Sequence, residues 1–170
     1  MTDHIAIAWL RQHAHDRTID AIDLGGRDTS GHGRHLWPNA RWTVVDCTDD
    51  DSFSPVDVVA DAATWQPARR VELVVCSEVA EHTPVWALIV ANAARMLAPG
   101  GMFVFTAAGP GRPAHGQTGD TRFRHADDSL VPGWYRNIEP TELEAVMCTV
   151  FDRAEFDLVE QSVLAVGWKS

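Results

Sequence analysis

The stretch Ala21-Ile22-Asp23-Leu24-Gly25-Gly26-Arg27-Asp28-Thr29-Ser30-Gly31 constrains the fold more than any other part of the chain. An apolar run ends in an acid and breaks at once into small residues. A parallel strand buried on both faces reads as a continuous apolar run, and its carboxyl end turns into a ligand-binding loop. Glycines in that loop let backbone approach a ligand closely. The rest of the chain is then expected to lay strands and crossovers beside this one turn.

Further short apolar runs follow it: Trp42 to Asp46, Val56 to Ala60, Val71 to Cys76 and Met102 to Thr106. They are rich in Val, as strands buried on both faces are. Helical spacing falls between them. Residues 3 to 15 suit a helix with Ile5, Ala8, Trp9 and Gln12 on one stripe, and 32 to 37 suit one or two turns stopped by Pro38. Thr83 and Pro84 open the clearest helix as cap and first residue. Its stripe is Val85, Leu88, Ile89, Asn92, Ala93 and Met96, and Pro99-Gly100-Gly101 ends it. Thr141 and Glu144 make a capping box for the next helix, whose stripe is Leu143, Val146, Met147 and Val150. Ala154 to Val159 and Val163 to Trp168 read as a closing antiparallel hairpin. Strands alternating with crossovers predict an α/β sandwich with a mostly parallel sheet. The crossover from Cys47 to Pro55 is polar and short for a helix. A chain of 170 residues is expected to be one domain.

Several function classes drop out. A net charge of −10 argues against a routine nucleic-acid partner, which wants a basic surface. The only lysine is Lys169, so no Walker lysine, internal Schiff-base lysine or Tyr-Lys dehydrogenase pair exists. No apolar run suits a membrane span, and the N-terminal residues do not look like a signal peptide. Cys47, Cys76 and Cys148 are odd in number and far apart, which fits thiols in a reducing cytoplasm better than disulfides or a zinc knuckle. His4, His13 and His15 lack a carboxylate or cysteine at ligand spacing, so no metal site is expected.

In an open parallel sheet the ligand lies beyond the carboxyl ends of the strands. Here those ends carry Asp23 to Gly26, Asp46, Asp61-Ala62, Ser77-Glu78 and Thr106 to Ala108. An acid at the end of the second strand suits a ribose, and Asp61 suits an exocyclic adenine amine. Together, Asp23-Leu24-Gly25-Gly26-Arg27-Asp28-Thr29, Asp46, Asp61-Ala62, Val74 to His82 and Leu97-Ala98-Pro99-Gly100-Gly101 resemble class I S-adenosylmethionine-dependent methyltransferases, in particular the small methyltransferase domain type 11 group. The likeness is good over residues 19 to 107 and holds in outline for the last two strands.

The resemblance implies a Rossmann-like three-layer sandwich whose seven-stranded sheet is parallel except for its last strand. It implies S-adenosylmethionine as cofactor, with Asp23, Gly25 and Gly26 at its amino-acid end, Asp46 and Cys47 at the ribose, Asp61 and Ala62 at the adenine, and Ser77 and Glu78 nearby. The sequence departs from acid-x-Gly-x-Gly-x-Gly by placing Arg27 and Thr29 where glycines are usual. The Arg27 side chain must either point away from the cofactor or pair with its carboxylate, and the second is the expectation. Methyl transfer needs a base only for a protonated acceptor, and the candidates are Glu78, Glu81, His82 and His115.

Residues 108–137 are long for a connection and are expected to cover a small-molecule acceptor. Arg112, Arg122, Arg124 and Arg136 suit one anionic group there, and Phe123, Trp134 and Tyr135 a planar one. The oligomeric state stays open. The alternatives are a module that binds S-adenosylmethionine or S-adenosylhomocysteine without turnover, and, more remotely, a nicotinamide-dependent oxidoreductase. The latter should carry Gly-x-Gly-x-x-Gly after the first strand, and this chain does not.

Overall fold

A computed structural model of the chain describes residues 4–27, 32–49, 54–115 and 134–170. They build one seven-stranded sheet from β1 (Asp20–Leu24), β2 (Arg41–Asp46), β3 (Val58–Val59), β4 (Val71–Ser77), β5 (Leu97–Ala108), β6 (Arg153–Val159) and β7 (Ser162–Trp168). The strand order is β3-β2-β1-β4-β5-β7-β6. Pairing from β3 through β5 is parallel, and β7 runs antiparallel to both of its neighbours. The mostly parallel sheet with one reversed strand is therefore what forms.

Alternate side chains along each central strand serve two cores. Val74 and Cys76 of β4, with Phe103 and Phe105 of β5, pack under α2 (Trp86–Met96) and α3 (Pro140–Val150). Leu73, Val75 and Val104 point the other way, to Ile5, Trp9 and Leu10 of α1 (His4–His13). Burial on both faces explains the Val-rich runs, since no position of β4 beyond Glu72 is left exposed. Three layers result. The two edges differ: β3 is only two residues long, and β6 alternates Arg153, Glu155 and Asp157 along its outer side. Short length and charge both discourage pairing with another chain.

Several local expectations need correcting. The stripe of α1 is Ile5, Ala6, Trp9 and Leu10, while Ala8 and Gln12 face outward. Trp9 sets this rotation by donating its indole N–H to the Ala165 carbonyl at 3.3 Å. The helix α2 begins two residues later than Thr83 and Pro84 suggested, because Ala80–His82 forms a 3₁₀ turn first. Thr83 then caps only the entry, its hydroxyl accepting from the Val85 N–H at 3.3 Å. The shift exposes Leu88 (58%) and buries Trp86, Val90 and Ala94. The Thr141–Glu144 capping box does not form; Glu139 is the cap of α3, without a side-chain bond, and Pro140 is its first residue. Pro99-Gly100-Gly101 lies inside β5 as a bulge, where the register against β4 shifts. Among the described residues the crossover from β1 to β2 holds only the 3₁₀ turn Arg34–Leu36.

Candidate active site

The turn after β1 is built by steric necessity. Gly25 has φ +71°, and a Cβ there would overlap the side chain of Val79. A Cβ on Gly26 would lie 2.5 Å from the carboxyl carbon of Asp23. Both amides donate to the Val45 carbonyl, at 2.8 and 3.2 Å, which folds the turn back over β2. Beneath it, the guanidinium of Arg34 donates to Asp23 Oδ2 at 2.8 Å, to the Gly26 carbonyl at 2.8 Å and to Ser54 Oγ at 3.1 Å. This ion pair is nearly buried, with side chains 10% and 9% exposed. Arg34 thus anchors the loop; its neighbour in role, Arg27, contributes its backbone N–H to Asp46 Oδ2 at 3.2 Å.

The second strand end is Asp46, buried, with Oδ1 accepting from the Thr48 N–H at 3.3 Å and from Cys47 Sγ at 3.5 Å. Asp61 closes its own turn, Oδ1 accepting from the Ala63 N–H at 2.8 Å. Asn92 of α2 holds that turn from inside the core, donating to the carbonyls of Ala62 at 2.9 Å and Trp65 at 2.7 Å. Its own amide oxygen accepts from Gln66 at 2.6 Å and from Arg95.

The fourth and fifth strand ends meet across Ser77 and Thr106, whose hydroxyls lie 2.8 Å apart. Thr106 donates to Glu78 Oε1 at 3.1 Å. Glu78 sits at φ +58°, a left-handed conformation that costs a non-glycine residue about 1 kcal/mol and clusters at functional sites. Its amide bonds to the Thr106 carbonyl at 2.9 Å, and its Oε2 pairs with Arg112 at 3.0 Å. Arg112 also reaches Ser162 Oγ at 3.2 Å.

Glu81 follows within one 3₁₀ turn and is fully buried. Among the described residues neither of its carboxyl oxygens has a hydrogen-bond partner. Burial, and then the charge of Glu78, push its pKa up to about 8. His82 Nε2 lies 3.9 Å from Glu81 Oε1. The rings of His82, His115 and Tyr135 meet edge to face, with centroids 4.9–5.5 Å apart. Burial and Glu81 raise the Tyr135 phenol to about 12, so it stays a neutral hydrogen-bonding group.

Residues 3–160 match the methyltransferase domain family. The chain belongs to that family. Solved structures agree on the fold of this methyltransferase. The DhpI complex with S-adenosylhomocysteine is similar at TM-score 0.62 and 19% identity, over 86% of this chain and 74% of that one. YcgJ of Bacillus subtilis gives TM-score 0.67 at 14% identity, over 98% and 99%. The sugar N-methyltransferase KedS8 of Streptoalloteichus gives 0.65 at 14%, over 98% and 88%. No curated protein matches by sequence. Among the described residues, no helix of the methyltransferase is long and apolar enough to cross a membrane.

The strand-end residues expected from the sequence, from Asp23 to Glu78, line one edge of the methyltransferase sheet. His82 and His115, 33 positions apart, come together, which spacing alone did not suggest. The arginines expected to grip an anion are otherwise engaged: Arg112 pairs with Glu78, and Arg136 with Glu142 at 2.9 Å. Arg122, Phe123 and Arg124 lie outside the described residues, as do residues 28–31 and most of the 108–137 segment. Arg34 and Asn92 were missed as site supports. Arg34 gave no signal, whereas an Asn on the apolar stripe of a helix did.

Proposed function

We propose that this methyltransferase transfers the methyl group of S-adenosylmethionine to a small-molecule acceptor. The observation that carries the reading is the row of acceptors at one sheet edge. The Asp61–Ala62 turn, Asp46, the side-chain-free Gly25–Gly26 turn and Ser77–Glu78 stand side by side at the carboxyl ends of β3, β2, β1 and β4. This row suits a nucleoside with a charged amino-acid tail. It lies where the sheet order reverses, between β1 and β4, and such a reversal opens a crevice for ligands.

The cofactor supplies a methyl carbon already activated on a sulfonium, so the protein chiefly orients two partners and excludes water. Asp46 takes the ribose hydroxyls with lone pairs that Arg27 and Thr48 leave over, with Cys47 beside it. Asp61 and Ala62 border the adenine. Asp23, through Arg34, holds the glycine turn against the tail. Arg27 pairs with the tail carboxylate, and Glu78 with its amine. Glu81, His82 and His115 face the acceptor side, with His82 or His115 as the base where the acceptor carries a proton. The chain acts as a single domain, and its three cysteines, none of them in a disulfide, fit the cytoplasm. Oxygen, nitrogen and carbon acceptors all suit this site.

Calorimetry with S-adenosylhomocysteine tests the cofactor half. We expect one site per chain and at least a tenfold loss in Asp46→Ala, about 1.4 kcal/mol. Labelled S-adenosylmethionine with a metabolite extract tests transfer by the appearance of a labelled product. Binding without any labelled product would make the protein a cofactor-binding module. Absence of binding to either cofactor form sinks the reading.

A further inference from the structure

We propose that Glu81, His82 and His115 bind a divalent first-row transition-metal ion on the acceptor side of the site. One ligand atom from each residue lies within 4.8 Å of the other two. Glu81 brings a carboxylate that is fully buried and has no hydrogen-bond partner among the described residues. A buried carboxylate is costly unless it is paired or coordinates a metal. Arg112 pairs with Glu78 at 3.0 Å, so the nearest nitrogen base that an ion could share with the Glu81 carboxylate is His82. A salt bridge to His82 does not satisfy that carboxylate, because 3.9 Å is long for a hydrogen bond. That separation does suit two ligands of one ion, whose donors stand roughly 3.4 Å apart at metal–ligand distances near 2.1 Å.

The outer contacts also fit. His115 Nδ1 lies 3.2 Å from the Pro113 carbonyl. Donation there fixes the tautomer and leaves Nε2 as the ligand atom, the usual arrangement for a metal-bound histidine. Two imidazoles and a carboxylate favour a later first-row ion such as iron(II), cobalt or zinc over magnesium or calcium. His115 is exposed, so its ring has room to close the last distance. Three protein ligands leave coordination positions open, as catalytic rather than structural sites do. With an ion bound, His82 and His115 would be its ligands rather than bases, and the ion itself would acidify an acceptor hydroxyl at an open position. That use rests on the methyl-transfer reading; binding of the ion does not.

The test takes the full chain, stripped by a chelator, and titrates it with cobalt(II) chloride. Visible absorption and calorimetry are followed together. We expect one ion per chain and ligand-field bands in the visible. Glu81→Gln and His115→Ala should each weaken binding by more than the roughly 10–100-fold that outer-shell changes cost. Circular dichroism monitors folding, and His115→Ala alters an exposed side chain that the fold does not need. A titration with no stoichiometric binding overturns the proposal. So does one that both variants leave unchanged. Binding of S-adenosylhomocysteine is measured separately: its failure removes the methyl-transfer reading and leaves the cobalt result as it is.

Discussion

At the scale of single residues the glycine turn after β1 rests on two different solutions. Gly25 is required by its own φ of +71° and by the contact with Val79. Arg34 is required by the buried carboxylate of Asp23. These can be separated. Gly25→Ala should destabilise the protein by about 1–3 kcal/mol in urea unfolding and abolish tight binding of S-adenosylhomocysteine. Adding Val79→Ala removes the overlap but not the backbone cost, so the double variant should recover only part of the stability. Full recovery would show that φ carries no cost here. The glycine was legible in the sequence because its requirement is local. Arg34 was not, because its partners Asp23, Gly26 and Ser54 are joined only by the fold.

Among the elements, α2 does more than cover the sheet. Its Asn92 is fully buried and bonds the carbonyls of Ala62 and Trp65, so the helix sets the turn proposed to border the adenine. Truncation leaves two carbonyls and the Gln66 amide without that partner. Asn92→Ala should lower the denaturant midpoint by the equivalent of about 2–4 kcal/mol with an unchanged m-value. A loss below about 0.5 kcal/mol would mean that water replaces the amide. The strands were legible because burial on both faces writes itself as an apolar run. Helix starts were less so. Thr83 and Pro84 have the chemistry of a cap, but the 3₁₀ turn at Ala80–His82 takes up the chain ahead of them. The cap shifts; Ile89, Asn92, Ala93 and Met96 are buried as expected, while Leu88 is exposed and Trp86, Val90 and Ala94 widen the stripe.

Across the whole molecule, thiol access reports on the packing. Burial, with the charges of Asp23 and Glu81, raises the pKa of Cys76 far above that of an ordinary thiol, and its side chain lies within the α2–α3 core. Cys148 is exposed on α3. An aromatic disulfide reagent should therefore modify Cys148 at once and Cys76 only after unfolding. Prompt reaction of Cys76 in the native protein would contradict the core described here. The order of the strand-end residues was legible at this scale, since each stands at the end of its own apolar run. The meeting of His82 with His115 was not, since it depends on where the segment after β5 returns.

The two crossovers flanking β2 differ from the rest of the molecule. Among the described residues the first carries a single 3₁₀ turn, and the strand that follows the second is two residues long with Val59 58% exposed. This half of the sheet is held by polar fastenings: Arg34 on Asp23, Asp57 on the Val44 amide at 2.7 Å, Asp46 on the Arg27 amide. The other half adds the aromatic packing of Phe103 with Phe105 and Phe151. Local opening therefore starts on the polar side, where the free-energy cost is lowest. Any ligand seated between Gly25 and Asp61 closes that same side. A nucleoside seated there as proposed would make recognition and completion of the fold one equilibrium, and the population of finished protein would then rise and fall with ligand concentration.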